Sequence, residues 1–253
     1  MKKETQNQLL EIVRQNYEEI SADFSETRKK ALWPELERFS KKVPNGARVL
    51  DLGCGSGRLL RAFLDKEINY LGIDQSQGLI QLARENFQNN SENKTQFSFL
   101  KHDMLALDNL DCQKFDYIFC VAVLHHLPGF DLQIKALRQM REKLNPNGKI
   151  IITVWNLWTK KKFRKLMIKN IFLKFFYPFL YFSKKNKPQF IDIQKGWRDL
   201  LFSWQGKQGQ KQSLRYYHAF TKRELKNIIR KTKLQIEKIS KDKYNYYVIL
   251  RKF

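Results

Sequence analysis

From residue 47 onward, short runs of consecutive apolar residues alternate with longer stretches in which apolar residues recur every three or four positions. A short apolar run predicts a buried strand, and the three-to-four spacing predicts an amphipathic helix. The predicted strands are ARVLDLG (47–53), NYLGID (69–74), FSFLKHD (97–103), FDYIFCVAV (115–123) and KIIITVW (149–155). The helical stretches between them are GRLLRAFLDK, SQGLIQLARENFQ and DLQIKALRQMREKL. This alternation predicts an α/β fold with a parallel sheet and helices on both faces.

Local signals predict where several elements begin and end. Ser76 is a natural N-cap for the helix that follows it, and Thr221 with Glu224 forms a capping box before KRELKNIIRKT. Residues 145–148 (NPNG) predict a turn before the fifth strand. The last two predicted strands, LQIEKIS and YYVILRK, are joined by only KDKYN, which favours an antiparallel pair.

Upstream of the alternation, the pattern is helical. An amphipathic segment covers the first 20 residues, and a second helical stretch is entered near Pro34 and broken by Pro44, Asn45 and Gly46. We therefore expect a single domain over 1–253, made of an N-terminal helical cap (1–44), a core (45–155), a basic aromatic insert (156–212) and a C-terminal helix with the last two strands (213–253).

The insert is distinguished by its charge. Residues 159–187 contain many Lys and Arg residues interleaved with Phe and Tyr, and they contain no acid. Three interpretations remain open: a platform for RNA, a helix on a membrane surface, or a local core that closes the active site with its lysines in solvent.

The charge of the whole chain changes the expected partners. Among 253 residues, Lys and Arg number 48 and Asp and Glu 25, giving a net charge of +23. Such an excess favours a polyanionic partner.

The three cysteines form no CxxC pair and no zinc-type cluster with histidine, so we expect a reducing compartment and no metal site. The N-terminus lacks an apolar signal region, and the apolar run at 171–182 is too short to span a bilayer, so the protein is expected to be cytoplasmic and soluble.

A glycine-rich loop follows the first predicted strand in VLDLGCGSG (49–57). Its pattern, D-x-G-x-G-x-G, differs from the G-x-G-x-x-G of dinucleotide-binding proteins, and Asp51 would repel a pyrophosphate. A carboxylate at that point suits a ligand that carries an ammonium and a sulfonium group. Cys54 lies in the same loop, where neighbouring carboxylates disfavour its thiolate, so we expect it to be a small filler of the binding site.

Two more acids follow the next two strands. Asp74 ends the second strand, where an acid can accept the hydroxyl groups of a ribose, and Asp103 ends the third, where it can accept an adenine amino group while Met104 packs on the ring. We also expect Gln75 and Val121 to line this site.

With its glycine loop and these acids, the chain resembles the class I S-adenosylmethionine-dependent methyltransferases over about residues 45–155. The resemblance implies S-adenosylmethionine as the cofactor and a Rossmann-like sheet of seven strands whose last strand is antiparallel. It also implies a set of cofactor-binding residues: Asp51, Gly53, Gly55, Gly57, Asp74 and Asp103.

Polar and aromatic residues follow the fourth and fifth strands. His125 and His126 follow the fourth strand, while Trp155 and Asn156 end the fifth, so all four are expected at the carboxyl edge of the sheet. A planar ring such as that of Trp155 at a pocket edge suits stacking on a base.

These residues sharpen the resemblance. The segments DFSETR (23–28), WPEL (33–36), VAVLHHL (121–127), ITVWNLW (152–158), RYYHAF (215–220) and NYYVILRK (245–252) are similar to the tRNA wobble-uridine carboxymethyl methyltransferases. The family implies the anticodon loop of tRNA as substrate and esterification of a carboxymethyl group. Its eukaryotic members work with a small zinc-binding activator protein, and whether this chain has such a partner is left open by the sequence.

The acceptor group decides which side chains the reaction needs. A carboxylate is already ionised at pH 7 and needs only orienting groups, for which Arg28, Arg215 and a histidine are candidates, with Tyr216, Tyr217 and His218 shaping the pocket. An amine or phenol acceptor would need a base, and His125 or His126 could serve. The stretch QKGWRDLLFSWQ lacks the proline of the family's acidic-apolar-Pro-Trp segment, so a small-molecule or lipid-like acceptor and a non-catalytic binding module also remain open.

Overall fold

A computed structural model of the protein describes residues 1–19, 32–88, 94–181, 196, 198–204 and 213–252. Its main sheet has seven strands in the order β3-β2-β1-β4-β5-β9-β8. These strands are β1 (Arg48–Leu52), β2 (Asn69–Asp74), β3 (Gln96–Lys101), β4 (Phe115–Val121), β5 (Leu144–Trp155), β8 (Leu234–Lys241) and β9 (Asn245–Lys252).

The strand directions confirm the predicted topology. β1 to β5 are mutually parallel, and β9 inserts antiparallel between β5 and β8. The chain builds the sheet outward in one direction from β1 to β3 and in the other direction from β4 to β5. The carboxyl ends of β1 and β4 therefore flank a crevice. In open α/β sheets a ligand binds at such a switch point.

Six α-helices are present in the described part of the chain. They are α1 (Lys3–Glu19), α2 (Pro34–Lys41), α3 (Gln77–Phe87), α4 (Phe130–Glu142), α5 (Lys161–Tyr181) and α6 (Lys222–Arg230). The Ser76 hydroxyl accepts a hydrogen bond from the Leu79 amide at 3.2 Å, and Thr221 and Glu224 form the predicted capping box. Both predicted caps are therefore confirmed.

Alternation along the strands builds a core on each face of the sheet. In β1, Leu50 and Leu52 join one buried cluster with residues of α4 and α6, while Val49 joins the other cluster with residues of α2 and α3. This period-two pattern also directs Asp51 to the same face as Val49. The carboxylate consequently enters the interior directly below the glycine loop.

A second, two-stranded sheet pairs β6 (Asp199–Trp204) with β7 (Ser213–His218) in antiparallel register. The sequence pattern did not predict β6. Phe163 and Met167 of α5 are buried against Leu200 and Tyr217 in a small third cluster, while the neighbouring basic side chains of α5 are exposed. The start of the insert thus packs on this small sheet.

Two local predictions were wrong. Residues 57–66, predicted as a helix, contain only a 3-10 segment at Arg58–Ala62. Residues 145–148, predicted as a turn, lie within β5 at an irregularity where the pairing with β4 passes from Leu144 directly to Lys149. A bulge of this kind accommodates Pro146, which cannot donate to the ladder.

The part of insert 159–187 beyond residue 181 lies outside the described residues. Within the described part, none of the helices has the length and apolar character needed to cross a bilayer.

Candidate active site

The glycine loop turns sharply between β1 and the 3-10 segment. Gly53, Gly55 and Gly57 have φ values of 69°, 56° and 80°, which an L side chain rarely adopts. A Cβ on Gly53 would lie 2.3 Å from Cγ2 of Val123, and one on Gly57 would lie 2.8 Å from the Phe87 ring. The glycines are thus required both by the backbone conformation and by close packing.

The loop forms one wall of a cleft, the glycine-loop cleft, at the carboxyl edge of the sheet. Most of the predicted cofactor residues line it: Asp51, Gly53, Cys54, Gly55, Asp74, Gln75, Asp103, Met104 and Val121. Gly57 supports the loop from behind, with its amide donating to the Cys54 carbonyl at 3.1 Å.

Asp51 lies at the bottom of this cleft and is 2% exposed. The Tyr70 hydroxyl donates to its Oδ2 atom at 2.6 Å. Burial, reinforced by the nearby Asp74 charge, raises the pKa of Asp51 to about 7 despite the Tyr70 hydrogen bond and the Arg58 charge. A cationic group in the cleft would stabilise the ionised form.

Asp74 is oriented by backbone amides. Gly55 N donates to its Oδ2 atom at 3.0 Å, and Ser76 N donates to its Oδ1 atom at 2.9 Å. Burial raises the pKa of Asp74, and these backbone hydrogen bonds oppose that effect. The carboxylate therefore ties the glycine loop to the start of α3.

Asp103 and Cys54 complete this end of the cleft. Asp103 Oδ1 accepts a hydrogen bond from the Leu105 amide at 2.8 Å, which fixes the carboxylate beside Met104. Burial, together with the Asp74 and Asp51 charges, raises the pKa of the Cys54 thiol well above its usual range. A raised pKa disfavours the reactive thiolate, which is consistent with the predicted role of Cys54 as a filler.

Helix α1 forms the opposite wall of the cleft through Leu10, Val13, Arg14 and Tyr17. Polar side chains attach the helix to the rest of the molecule. Gln6 donates to Asp131 Oδ1 at 2.6 Å and to the Pro128 carbonyl at 3.2 Å, and Asn16 donates to the Leu214 carbonyl at 3.2 Å.

His126 lies where α1 meets the end of β4. Its Nδ1 atom is 3.1 Å from the Tyr216 carbonyl, and its Nε2 atom is 2.7 Å from the Tyr17 hydroxyl. Because a carbonyl only accepts, Nδ1 carries the proton, and in the neutral ring Nε2 accepts from Tyr17. Both ring nitrogens are therefore engaged.

His125 is separated from the cleft. It is 0% exposed, its ring lies 5.1 Å from that of Trp155 and 5.3 Å from that of Tyr217, and the Trp155 amide is 3.4 Å from its Nδ1 atom. Trp155 in turn stacks on Tyr217, with centroids 4.8 Å apart and planes at 23°. The two histidine rings lie side by side, with centroids 4.5 Å apart, and of the two His126 is the one that lines the cleft.

The segment RYYH forms β7, and its last residues are buried. The Tyr216 hydroxyl donates to Asp199 Oδ1 at 2.6 Å, and His218 Nδ1 donates to the same oxygen at 2.8 Å. His218 Nε2 lies 3.6 Å from Glu224, which also pairs with Arg198 at 2.5 Å. Burial lowers the pKa of His218, but hydrogen bonds to Asp199 and Glu224 outweigh it and raise the pKa to about 9.

The remaining predicted residues have different surroundings. Asn156 is buried, and its side chain donates to the Asp242 carbonyl at 3.3 Å, so it anchors the β8–β9 turn. Arg215 is half-buried on β7. Arg28 lies outside the described residues. Seven predicted site residues do not line the glycine-loop cleft in the described part of the chain: Arg215, Tyr216, Tyr217, His218, His125, Trp155 and Asn156.

Sequence reasoning missed several residues that line the cleft, among them Tyr17, Arg58, His102 and Ala122. Arg58 directly follows the glycine loop, and its position could have indicated it. Ala122 has φ 59°, an unfavourable conformation for alanine, and its amide donates to Thr153. Nothing in the local pattern distinguishes Tyr17 or Ala122 from ordinary packing residues.

Comparison with known families agrees with this arrangement of fold and cleft. The profile described as a methyltransferase domain matches residues 24–239. The chain therefore belongs to the methyltransferase domain family.

Named relatives share part or all of the chain. The tRNA (carboxymethyluridine(34)-5-O)-methyltransferase ALKBH8 of Mus musculus is 33% identical over 60% of this chain and 21% of its own length. The tRNA (carboxymethyluridine(34)-5-O)-methyltransferase of Saccharomyces cerevisiae is 30% identical over 71% of this chain and 60% of its own. The enzyme of that name from Schizosaccharomyces pombe is 24% identical over 96% of both. The chain thus spans about a fifth of the mouse relative and nearly all of the fission-yeast one.

Solved structures share the fold. A SAM-dependent methyltransferase from Methanosarcina mazei aligns with a TM-score of 0.65 and 17% identity, covering 88% of this chain and 99% of its own. Magnesium protoporphyrin IX methyltransferase from Synechocystis PCC 6803, solved with bound SAH, aligns with a TM-score of 0.63 and 14% identity over 97% and 100%. At these identities the agreement concerns architecture alone, and it confirms the predicted methyltransferase sheet.

Proposed function

We propose that this chain is an S-adenosylmethionine-dependent methyltransferase that esterifies the carboxymethyl group of a wobble uridine in tRNA. When bound, S-adenosylmethionine supplies a methyl group on a sulfonium centre. The cleft suits this cofactor because Asp51 and Asp74, both directed into it, have pKa values raised by burial, and their ionised forms would be stabilised by the cofactor's positive groups. Asp74 and Asp103 would hold the ribose and adenine ends.

The state of the two histidines supports a carboxylate acceptor. His126 has both ring nitrogens engaged, by Tyr17 and by the Tyr216 carbonyl, and His125 is fully buried. Neither is available as a general base in this arrangement. A carboxylate is ionised at neutral pH and needs no base, so alignment is the main demand on the site.

The tRNA assignment rests on one further observation. Similarity to the fission-yeast tRNA (carboxymethyluridine(34)-5-O)-methyltransferase extends over 96% of both chains, and it therefore includes α1 and the β6–β7 sheet as well as the common core. The net charge of +23 also favours a polyanionic substrate. Arg28 and Arg215 are proposed to orient the acceptor, with the anticodon loop as the bound region.

The test uses two synthetic anticodon stem–loops that differ only in carrying 5-carboxymethyluridine or uridine at the wobble position. The purified chain is incubated with each and with methyl-tritiated S-adenosylmethionine, alone and together with a small zinc-binding activator protein. We expect label in the carboxymethyl substrate alone, and we expect mild alkali to release it as a methyl ester does.

Three outcomes would contradict the proposal. Label in both stem–loops that survives alkali would mean methylation of a base or ribose. Transfer to small carboxylic acids but not to RNA would indicate a small-molecule enzyme. Cofactor binding without transfer to any acceptor, with or without the activator, would indicate a binding module.

A further inference from the structure

A second surface with the chemistry of a binding site lies between α4 and α6, away from the glycine-loop cleft. We name it the α4/α6 groove. Its lining includes Phe130 and Ile134 of α4, Arg223, Asn227 and Arg230 of α6, and Arg198. Lys222 and Lys226 extend the cationic surface along α6 beside Arg223 and Arg230.

The positive charge of this groove is not compensated. Lys222, Arg223 and Arg230 are exposed and Lys226 is half-exposed, and the described part of the chain contains no ion pair for any of these four. The acid of the same helix, Glu224, is used internally by Arg198, His218 and the cap of α6. The groove therefore carries a concentrated positive field.

The spacing along α6 makes this charge continuous. Lys222, Lys226 and Arg230 follow one another at four-residue intervals, and Arg223 lies beside them on the next row. From Lys222 to Arg230 the helix rises about 12 Å, enough to follow a strand over several phosphates. Arginine guanidinium groups match phosphate oxygens in a two-pronged geometry, and the Asn227 amide adds a neutral donor.

One end of the groove follows the cleft closely along the chain. His126 and Leu127 line the cleft, and Phe130, which begins α4, follows within a few residues of the chain. Phe130 is 48% exposed, and its ring meets that of His218 edge-on at a centroid distance of 5.8 Å. Proteins that bind single-stranded nucleic acid combine an exposed ring, on which a base stacks, with a row of cations, which contact the phosphates.

We propose that the α4/α6 groove binds the phosphodiester backbone of the RNA substrate beside the nucleotide that enters the cleft. This proposal rests on the proposed function and adds to it a docking surface. A cationic surface at this distance would hold the RNA while leaving the reacting group to the cleft, because phosphate contacts position a nucleic acid without specifying its sequence.

The experiment compares two variants with equal loss of charge. The groove variant is Arg223→Gln, Lys226→Gln and Arg230→Gln. The control variant is Lys94→Gln, Lys101→Gln and Lys114→Gln. These three lysines are exposed: Lys94 precedes the edge strand β3, Lys101 ends it, and Lys114 precedes β4. Affinity for a fluorescently labelled tRNA is measured at several salt concentrations, and methyl transfer is measured at saturating tRNA.

We expect the groove variant to bind tRNA at least about tenfold more weakly at 0.15 M salt and to lose about 2 units of slope in a plot of log affinity against log salt concentration. Methyl transfer at saturating tRNA and cofactor affinity should stay within about twofold of the wild type. The control variant should retain most of both the affinity and the slope.

Equal losses in the two variants would overturn the proposal, because they would mean that only total charge matters. Unchanged affinity in a groove variant with normal thermal stability would also overturn it and would leave an acidic protein as the partner of this surface. Failure of the proposed function is seen separately, since the wild type would then neither bind nor methylate the RNA.

Discussion

At the scale of single residues, the cleft holds three carboxylates, of which Asp51 and Asp74 have pKa values raised by burial. Asp51 is buried below the glycine loop, and its single described side-chain donor is the neutral Tyr70 hydroxyl. Desolvation dominates, which is why its pKa is about 7. The folded protein thus retains a proton there that an unfolded chain loses near its ordinary pKa of 3.8. This residue consequently destabilises the ligand-free fold as the pH rises from about 4 to 7.

Cofactor affinity should depend on the ionisation of Asp51. Because a cation favours the carboxylate, binding below pH 7 must displace a proton, and the dissociation constant should rise by up to about tenfold per pH unit below that value. Calorimetric titration at pH 6, 7 and 8, in buffers of different ionisation heat, would detect this proton release. Asp51→Asn should bind more weakly and without the pH dependence, whereas Asp108→Asn should behave as wild type. A pH-independent wild type would contradict this account.

Asp199 is a buried carboxylate that joins two strands. Its Oδ1 atom accepts from both the Tyr216 hydroxyl and His218, and these bonds join β6 to β7. The pKa of His218 is raised from 6.5 to about 9 in the folded protein. Protonated His218 therefore stabilises the fold fully below pH 6.5, and this contribution is lost as the pH rises to about 9. The β7 segment is therefore positioned by a buried charge network.

Asp199→Asn should weaken that network. Removing one partner of a buried charge costs about 3 kcal/mol, so we expect a lower free energy of unfolding at pH 6.5 and a smaller decrease between pH 6.5 and 9. Urea unfolding across this pH range would measure both. Glu237→Gln, which alters an exposed pair with Lys149, serves as the control. An unchanged pH slope in Asp199→Asn would show that His218 is not held in its charged form by this carboxylate.

At the scale of elements, α1 acts as a wall of the cleft that is attached mainly by polar contacts. Leu9 is its fully buried apolar side chain, while Gln6, Asn16 and Tyr17 form bonds to distant backbone or side-chain groups. An element with little buried apolar surface opens at a low free-energy cost. We therefore expect α1 to open more readily than the central strands.

Weakening the attachment of α1 should speed cofactor exchange. The double variant Gln6→Ala with Asn16→Ala removes the bonds to Asp131, Pro128 and Leu214. We expect cofactor dissociation to become about 10- to 100-fold faster, since each lost bond contributes roughly 0.5 to 1 kcal/mol. Stopped-flow displacement of the cofactor would measure the rate. Gln15→Ala, which alters a solvent-facing bond to Glu11 in the same helix, should leave the rate unchanged. Equal rates in all three proteins would contradict the expectation that α1 opens when the cofactor leaves.

At the scale of the whole molecule, acidic and basic side chains are concentrated in separate regions. The carboxylates Asp51, Asp74 and Asp103 lie inside the glycine-loop cleft, whereas the excess positive charge lies on outer surfaces such as the α4/α6 groove. This separation would let one molecule attract a cationic cofactor and the proposed polyanionic substrate at the same time. The electrostatic field of the exposed basic side chains extends over about one Debye length, near 8 Å at physiological salt.

The separation predicts opposite effects of two substitutions. Asp74→Ala removes the acceptor of the Gly55 and Ser76 amides, so cofactor affinity should fall at least about tenfold while tRNA affinity stays within about twofold. The groove variant should show the reverse. Parallel binding titrations with cofactor and tRNA would test this, and a loss of tRNA affinity in Asp74→Ala would mean that the two regions are coupled.

The sequence determined the parts of this protein that depend on short-range patterns. Strand–helix alternation, the caps at Ser76 and Thr221, and the acids Asp51, Asp74 and Asp103 at successive strand ends were all readable, because periodicity and the rule that ligands bind at carboxyl ends of parallel strands act locally. The 3-10 segment after the glycine loop was missed because apolar spacing does not distinguish it from a short α-helix.

Only the tertiary structure decided which remote side chains meet. Tyr17 reaches His126 across 109 positions, and Asp199 reaches Tyr216 and His218 across a segment that carries no signal for the contact. The burial of β7 and the uncompensated charge of the α4/α6 groove likewise depend on how separate elements pack. Local sequence fixes what each element is, but hydrogen bonds and exposure are set by neighbours that packing brings together from distant parts of the chain.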